Sequence, residues 1–141
     1  MSDLQKTLDW NAKIMAEFRE TGGTAGGFFE DKTLLILHTT GAKSGKHREN
    51  PLVTIEDDGK LIIVASKGGA DTHPAWYYNL VANPDVEVEF GTERFSTKAV
   101  VTEEPERTEL YEKMEAEYAF FTEYKQKAAR VIPVITVDLP S

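Results

Sequence analysis

The chain has 141 residues, 40% hydrophobic and 28% charged, enough for one globular domain with its own core and too few for two. Its 24 acidic against 16 basic residues give a formal charge of −8, which argues against general nucleic-acid binding, and the absence of cysteine removes disulfides, thiolate metal ligands and cysteine nucleophiles. Apolar runs are no longer than a strand and the N-terminus carries no hydrophobic signal core, so a cytoplasmic protein is expected.

Leu4, Leu8, Ala12, Met15 and Phe18 recur at three- and four-residue spacing and predict an amphipathic helix over about 3–20, ended by Gly22-Gly23. Asp3, Asp9, Glu17 and Glu20 deny that helix a basic face, which favours packing on the domain; peripheral membrane contact through it is the alternative. The stretch Gly22 to Gly27 lacks the spacing of a dinucleotide fingerprint and follows a helix rather than a strand, so it reads as a flexible connection. This divides the chain into a helix with its connection, 1–28, and a main domain, 29–141.

Thr33 to Thr39 is a strand candidate, and a second strand is expected near Asn50 to Ile55. Between them lies Gly41-Ala42-Lys43-Ser44-Gly45-Lys46-His47-Arg48, and no acid occurs from Lys32 to Arg48. Such a basic, glycine-punctuated loop in an acidic chain points to an anionic ligand, because Lys and Arg give charge-assisted hydrogen bonds to phosphate or carboxylate oxygens. It is not a P-loop: only three residues separate the glycines, and His47 stands where a magnesium-binding hydroxyl would be. Asp57-Asp58-Gly59 signals a hairpin into the buried run Leu61 to Ala65. A second glycine loop, Ser66 to Asp71, follows, and Pro74 opens a short helix carrying Trp76, Tyr77 and Tyr78.

Val86, Val88 and Phe90 alternate with Glu87 and Glu89 in a half-exposed strand, and another strand covers about Arg94 to Val101. Leu110, Met114 and Tyr118 share one face of a helix opened by Pro105, whose pattern runs on toward Arg130, with room for a break, before a final strand, Val131 to Val137. Strands without regular βαβ alternation predict a mostly-β α+β fold: a barrel of about six mainly antiparallel strands with helices packed around it. His38, His47 and His73 show no i, i+4 pair and no ligand set among the acids nearby, so no metal site is expected. Neither Ser44 nor Ser66 lies in a nucleophile elbow.

Lys43, Ser44, Lys46 and Arg48 could take the anionic arm of one ligand, Lys67 and the Ser66 to Gly69 amides its middle, and Trp76 a flat ring. From the residues alone, Trp76, Tyr77 and Leu80 are equally the buried side of a short helix.

Three ordered motifs separate these readings: Leu-His-Thr-Thr-Gly-Ala-Lys-Ser-Gly-Lys-His-Arg-Glu-Asn-Pro-Leu (37–52), Val-Ala-Ser-Lys-Gly-Gly (64–69) and Pro-Ala-Trp-Tyr-Tyr-Asn-Leu-Val-Ala-Asn-Pro (74–84). Together they resemble the deazaflavin (F420)-dependent nitroreductase family, over nearly the whole chain after the first helix. The resemblance implies a split β-barrel related to FMN-binding barrels and an oxidoreductase that passes a hydride from reduced coenzyme F420 to a small-molecule acceptor: a quinone, a nitroaromatic or another conjugated electrophile. An FMN-dependent reductase and a non-catalytic deazaflavin carrier are the alternatives. Carried onto this chain, it assigns Lys43, Ser44 and Arg48 to the coenzyme's phosphate and acidic tail, and Asn50, Pro51, Leu52 and Val53 to its length. Ala65, Ser66, Lys67 and Gly68 line the next segment, and Ala75, Trp76, Tyr77, Tyr78 and Asn79 frame the ring or ribityl chain. Ser66, Tyr118, Phe121 and Tyr124 are the acceptor-pocket candidates, with no obligatory catalytic side chain. Two departures from the family pattern, Ala42 in place of Arg and the acid Glu49 beside Arg48, imply weaker tail binding; Phe121 in place of a tyrosine removes a phenol. The oligomeric state is not fixed by any of these residues.

Overall fold

The computed structural model describes residues 3–140, with the side chains of residues 3 and 4 outside the described set. Helix α1 (Asp3–Thr21) is followed by a 3-10 turn at Gly27–Phe29 and strands β1 (Leu34–Thr40), β2 (His47–Val53), β3 (Ile55–Asp57) and β4 (Lys60–Val64). Then come α2 (Ala75–Ala82), β5 (Asp85–Phe90), β6 (Glu93–Val101), α3 (Glu106–Glu117), α4 (Phe120–Lys127) and β7 (Val134–Asp138). The seven strands form one antiparallel sheet in the order β2-β1-β5-β6-β7-β4-β3, one strand more than expected because the Asp58-Gly59 hairpin carries the short β3.

Strand β6 is long enough to serve two halves of the sheet. Its first part pairs with β5 and its last three residues, Ala99 to Val101, pair with β7, so the sheet curls. The two edge strands, β2 and β3, are consecutive in the chain and separated only by Thr54. That residue is fully buried. Its N–H donates to Thr33 O at 2.9 Å and its hydroxyl to Ile62 O at 2.7 Å, stitching the β1 end of the sheet to β4 and nearly closing the barrel.

Inside the curl, Leu35, Leu37, Leu61, Ile63, Val88, Ile135 and Val137 meet Trp76 and Leu80 of α2. On the outer side, Leu110, Tyr111, Met114 and Phe121 pack against Ile62 and Val64, while Ile14, Met15 and Phe18 of α1 cover Leu34 and Ile36. Each of those α1 side chains contributes about 2 kcal/mol of apolar burial. Leu8 and Trp10 stay exposed, so the buried stripe of α1 occupies its C-terminal half.

One local expectation changes, and the break that the second helical stretch leaves room for is located. The connection after α1 is packed: Glu17 accepts the Gly26 N–H at 3.0 Å, and Phe29 is buried with its ring 5.3 Å from that of Trp10. The helical pattern after Pro105 breaks at Tyr118, whose φ of −132° leaves it outside both α3 and α4.

Candidate functional site

The basic loop is a tight hairpin end. Gly41 N–H donates to Lys46 O at 2.7 Å, and a Cβ at Gly41 would lie 2.5 Å from the Ser44 hydroxyl, so a larger residue there would have to turn the Ser44 side chain away. Asn79 of α2 holds the loop from below: its side-chain oxygen accepts the Ala42 N–H at 2.9 Å and its amide donates to Thr39 Oγ1 at 3.3 Å. Lys43, Ser44, Lys46 and Arg48 are left exposed around this frame.

From the loop, β2 runs as an edge strand to an apolar groove of ≈ 200 Å³. The groove is walled by Pro51, Leu52 and Val53 on one side and by Ser66, Lys67, Gly68 and Trp76 on another, with Phe121 and Tyr124 of α4 closing it. From His47 to Val53 the strand covers roughly 20 Å, so basic loop and groove form the two ends of one elongated surface. Arg48, Asn50 and Leu52 point to the sheet face shared by Thr39 and α2, since Thr39 pairs opposite Arg48.

The Ser66 to Ala70 segment is held by a residue that carries no motif of its own in the sequence. Arg130 donates to Ala65 O at 3.1 Å, Ser66 O at 3.0 Å and Ala70 O at 3.0 Å, and to His73 Nδ1 at 2.9 Å. Burial, then the Arg130 charge, lowers the His73 pKa, which suits an imidazole acting as acceptor. Gly68 has φ +64°, and a Cβ added there would meet nothing within 4 Å, so the backbone is open to close approach by a ligand. Ser66 does not spend its hydroxyl on capping the turn that it precedes. Burial, then Glu123, pushes the Tyr124 phenol up, keeping it protonated as a donor.

Several expected residues stand elsewhere. Ala65 is fully buried and reaches the site only through its carbonyl, bound by Arg130. Ala75, Tyr77 and Tyr78 lie on α2 outside the groove lining; Tyr77, tilted, and Tyr78, edge-on, pack around His73 with centroids at 4.6 and 5.6 Å. Tyr118 does not share a helical face with Phe121 and Tyr124, because the chain turns out of helix there. Its buried hydroxyl donates to Thr54 O at 3.0 Å and accepts the Thr33 N–H at 3.1 Å, so both its polar functions are committed to the barrel seam. Glu49 points to the opposite sheet face from Arg48 and pairs with Arg19 at 3.3 Å, which removes the physical basis for weakened tail binding at that position.

The groove also contains Phe28, Phe29, Val64, Pro74 and Phe120. Two adjacent aromatics after a glycine pair were the available signal for Phe28 and Phe29. Phe120 is held at 5.3 Å from both Phe28 and Tyr124, so the 3-10 turn and α4 share one aromatic wall. Tyr111, its phenol pushed up to about 12 by burial, donates to Phe121 O at 2.6 Å and fixes the start of α4.

Residues 10–140 match the family of F420H(2)-dependent quinone reductases. A protein of Mycobacterium tuberculosis (strain H37Rv) described as an F420H(2)-dependent quinone reductase is 41% identical over 106 residues, spanning 73% of this chain and 71% of its own. Among solved structures, an F420-H2 dependent reductase (FDR-A) superposes with a TM-score of 0.69 at 42% identity, covering 74% of this chain and 93% of that one. A second, described as a domain-swapped dimer, gives 0.71 at 38% identity, covering 94% and 99%. Likeness at 14% identity to the heme storage protein HutZ of Vibrio cholerae, TM-score 0.58, extends the shared fold alone.

Proposed function

Since the chain belongs to the F420H(2)-dependent quinone reductase family, we propose that it is an oxidoreductase that binds coenzyme F420 along β2 and reduces a quinone in the groove beside Trp76. The carrying observation is the continuity of an exposed cationic loop with an apolar, aromatic-walled groove through one strand. The residues fit the coenzyme. Lys43, Ser44 and Arg48 offer donors to its phosphate and acidic tail, Asn50 and Leu52 line the connecting strand, and Pro51, Val53, Ser66, Lys67, Gly68 and Trp76 surround a flat ring.

The bound coenzyme, when reduced, supplies the hydride. The protein positions and shelters. Phe28, Phe29, Phe120 and Phe121 exclude water, while the Ser66 hydroxyl and the protonated Tyr124 phenol donate to oxygen on the acceptor as charge develops. Asn79 and Arg130 act at a distance, fixing the two loops. Exposed Phe28, and Trp10 whose ring lies against Phe29, extend apolar surface from the groove mouth, which suits a lipophilic acceptor; no helix among the described residues is long and apolar enough to cross a membrane.

Oxidation of reduced F420 followed by its absorbance, with and without a soluble quinone, tests this reading. Quinone-dependent turnover that Tyr124→Phe and Ser66→Ala each slow supports it. Tight coenzyme binding with no turnover on quinones, nitroaromatics or enones would convert the protein into a carrier.

A further inference from the structure

On the sheet face that α1 covers, opposite the face packed against α2, strand alternation gathers a set of side chains that the proposed reaction does not use. His38 and Glu49 lie directly across from each other on β1 and β2, and His47 is two residues before Glu49 on the same face. One ligand atom from each of these three lies within 4.8 Å of the others. We propose that His38, His47 and Glu49 form a binding site for a divalent transition-metal ion of the zinc class.

The outer shell is already built. His38 is 3% exposed, and its Nε2 is 2.7 Å from Glu89 Oε2, the carboxylate–imidazole arrangement that fixes a histidine's orientation and leaves the other nitrogen for a metal. Arg19 in turn holds Glu89 at 2.7 Å and Glu49 at 3.3 Å, so both carboxylates are positioned from α1. With neutral imidazoles, Arg19, Glu49 and Glu89 together carry one net negative charge, favourable for a divalent cation. Two imidazoles and one carboxylate suit zinc-like ions rather than magnesium or calcium.

The His47 nitrogen is the adjustable ligand. His38 Nδ1 and His47 Nε2 are 2.7 Å apart, with ring centroids at 4.9 Å and ring planes within 11° of parallel, so they share a hydrogen head-on. Tetrahedral ligands at zinc distances stand about 3.3 Å apart. His38 Nδ1 and Glu49 Oε1 are at 3.7 Å, near that value, and only exposed His47 on the edge strand must swing away. As it does, the hydrogen between the rings moves to His47 Nδ1 in water, leaving Nε2 with a lone pair and the charge unchanged. A fourth position would face the ≈ 530 Å³ cleft that His38 and His47 line with Thr40, Asp85, Glu87 and Ser96, open to water.

Tag-free protein stripped with a chelator and titrated with Co²⁺, then with Zn²⁺ in competition, tests the site. The expected result is one equivalent bound, with the intense visible absorption of tetrahedral Co²⁺. His47→Ala and Glu49→Gln should each weaken binding by about 100-fold or more, and Glu89→Gln by about 10–100-fold, while His73→Asn leaves it unchanged. Circular dichroism melts check that each variant is folded. Absence of a stoichiometric site in wild type, or equal binding by folded His47→Ala, overturns the proposal.

Discussion

Replacing Tyr118 by phenylalanine separates a structural from a catalytic reading of this residue. The ring stays, so the packing against Phe121 at 6.2 Å and Phe120 at 5.8 Å is retained. Two hydrogen bonds go. The Thr54 carbonyl is left unpaired in a buried place, and the Thr33 N–H loses its acceptor in a partly wet one. A buried orphan costs about 1–3 kcal/mol and an accessible one less, so the sum is about 2 kcal/mol. For a chain of this size that lowers Tm by about 6 °C, a substantial part of a typical domain's stability. Urea and thermal melts read the stability, and kcat and KM for quinone-dependent oxidation of reduced F420, taken well below the melt, read the chemistry. The expected outcome is a lower Tm with kcat within twofold of wild type. An unchanged Tm with a kcat reduced tenfold or more would show that the hydroxyl serves the acceptor, and the assignment to the seam would be wrong.

Three further outcomes follow from local geometry. Gly69→Ala should destabilise by about 3 kcal/mol, the sum of a left-handed backbone and overpacking, because its Cβ would meet Tyr124 Cα and O at 3.1 Å; Gly68→Ala, with free space around it, should lose only about 1 kcal/mol, and equal urea midpoints would refute the contact. Arg130→Ala releases three carbonyls of the Ala65 to Ala70 segment, so coenzyme affinity should fall although Arg130 touches no ligand, and limited proteolysis should cut within 66–71; intact resistance would argue that the turn holds itself. The Glu89 carboxyl is lowered to about 2, first by its hydrogen bond from Arg19 and also by that from His38, against the opposing effect of burial. Its stabilising contribution is therefore full above about pH 4.5 and is lost as pH falls toward 2; Glu89→Gln should lower Tm at neutral pH and flatten the acid limb of the Tm profile, and a parallel acid limb would contradict this.

The elements that carry their own signal in sequence are those whose residues are buried on a regular period. β1, β5, β6 and α2 lie close to where their apolar residues predict, as do the two glycine loops that connect to them. The sequence pattern starts β2 at Asn50, whereas the strand begins at His47, because His-Arg-Glu-Asn has no apolar alternation and is held in the sheet by pairing with β1 alone. The break at Tyr118 has no glycine or proline to announce it; it exists because a phenol is drawn into a seam made by Thr33 and Thr54, 85 and 64 residues earlier in the chain. Arg130 is invisible in sequence for a similar reason, since its partners are three backbone carbonyls and the His73 ring, 57 to 65 residues away. The histidine cluster escapes a search for helical i, i+4 ligands because its spacing is that of strands, i, i+2 on β2 and directly opposite on β1. In the groove, the motif residues Pro51 to Val53, Ser66 to Gly68 and Trp76 meet as their order in the chain suggests, whereas the Phe28–Phe120 wall is a tertiary contact between two segments 92 residues apart.

The central claim is that one ligand lies along β2, its acidic end at the basic loop and its ring beside Trp76. Fluorescence titration of wild type and Lys43→Ala, each with intact F420 and with the deazaflavin lacking its phosphate and acidic tail, tests it most directly. Loss of one exposed charge-assisted contact should weaken intact F420 by about five- to tenfold, less so in high salt, and leave the tail-less ring unaffected. If Lys43→Ala binds both ligands as wild type does, or weakens both equally, the ligand does not lie along β2 in this direction.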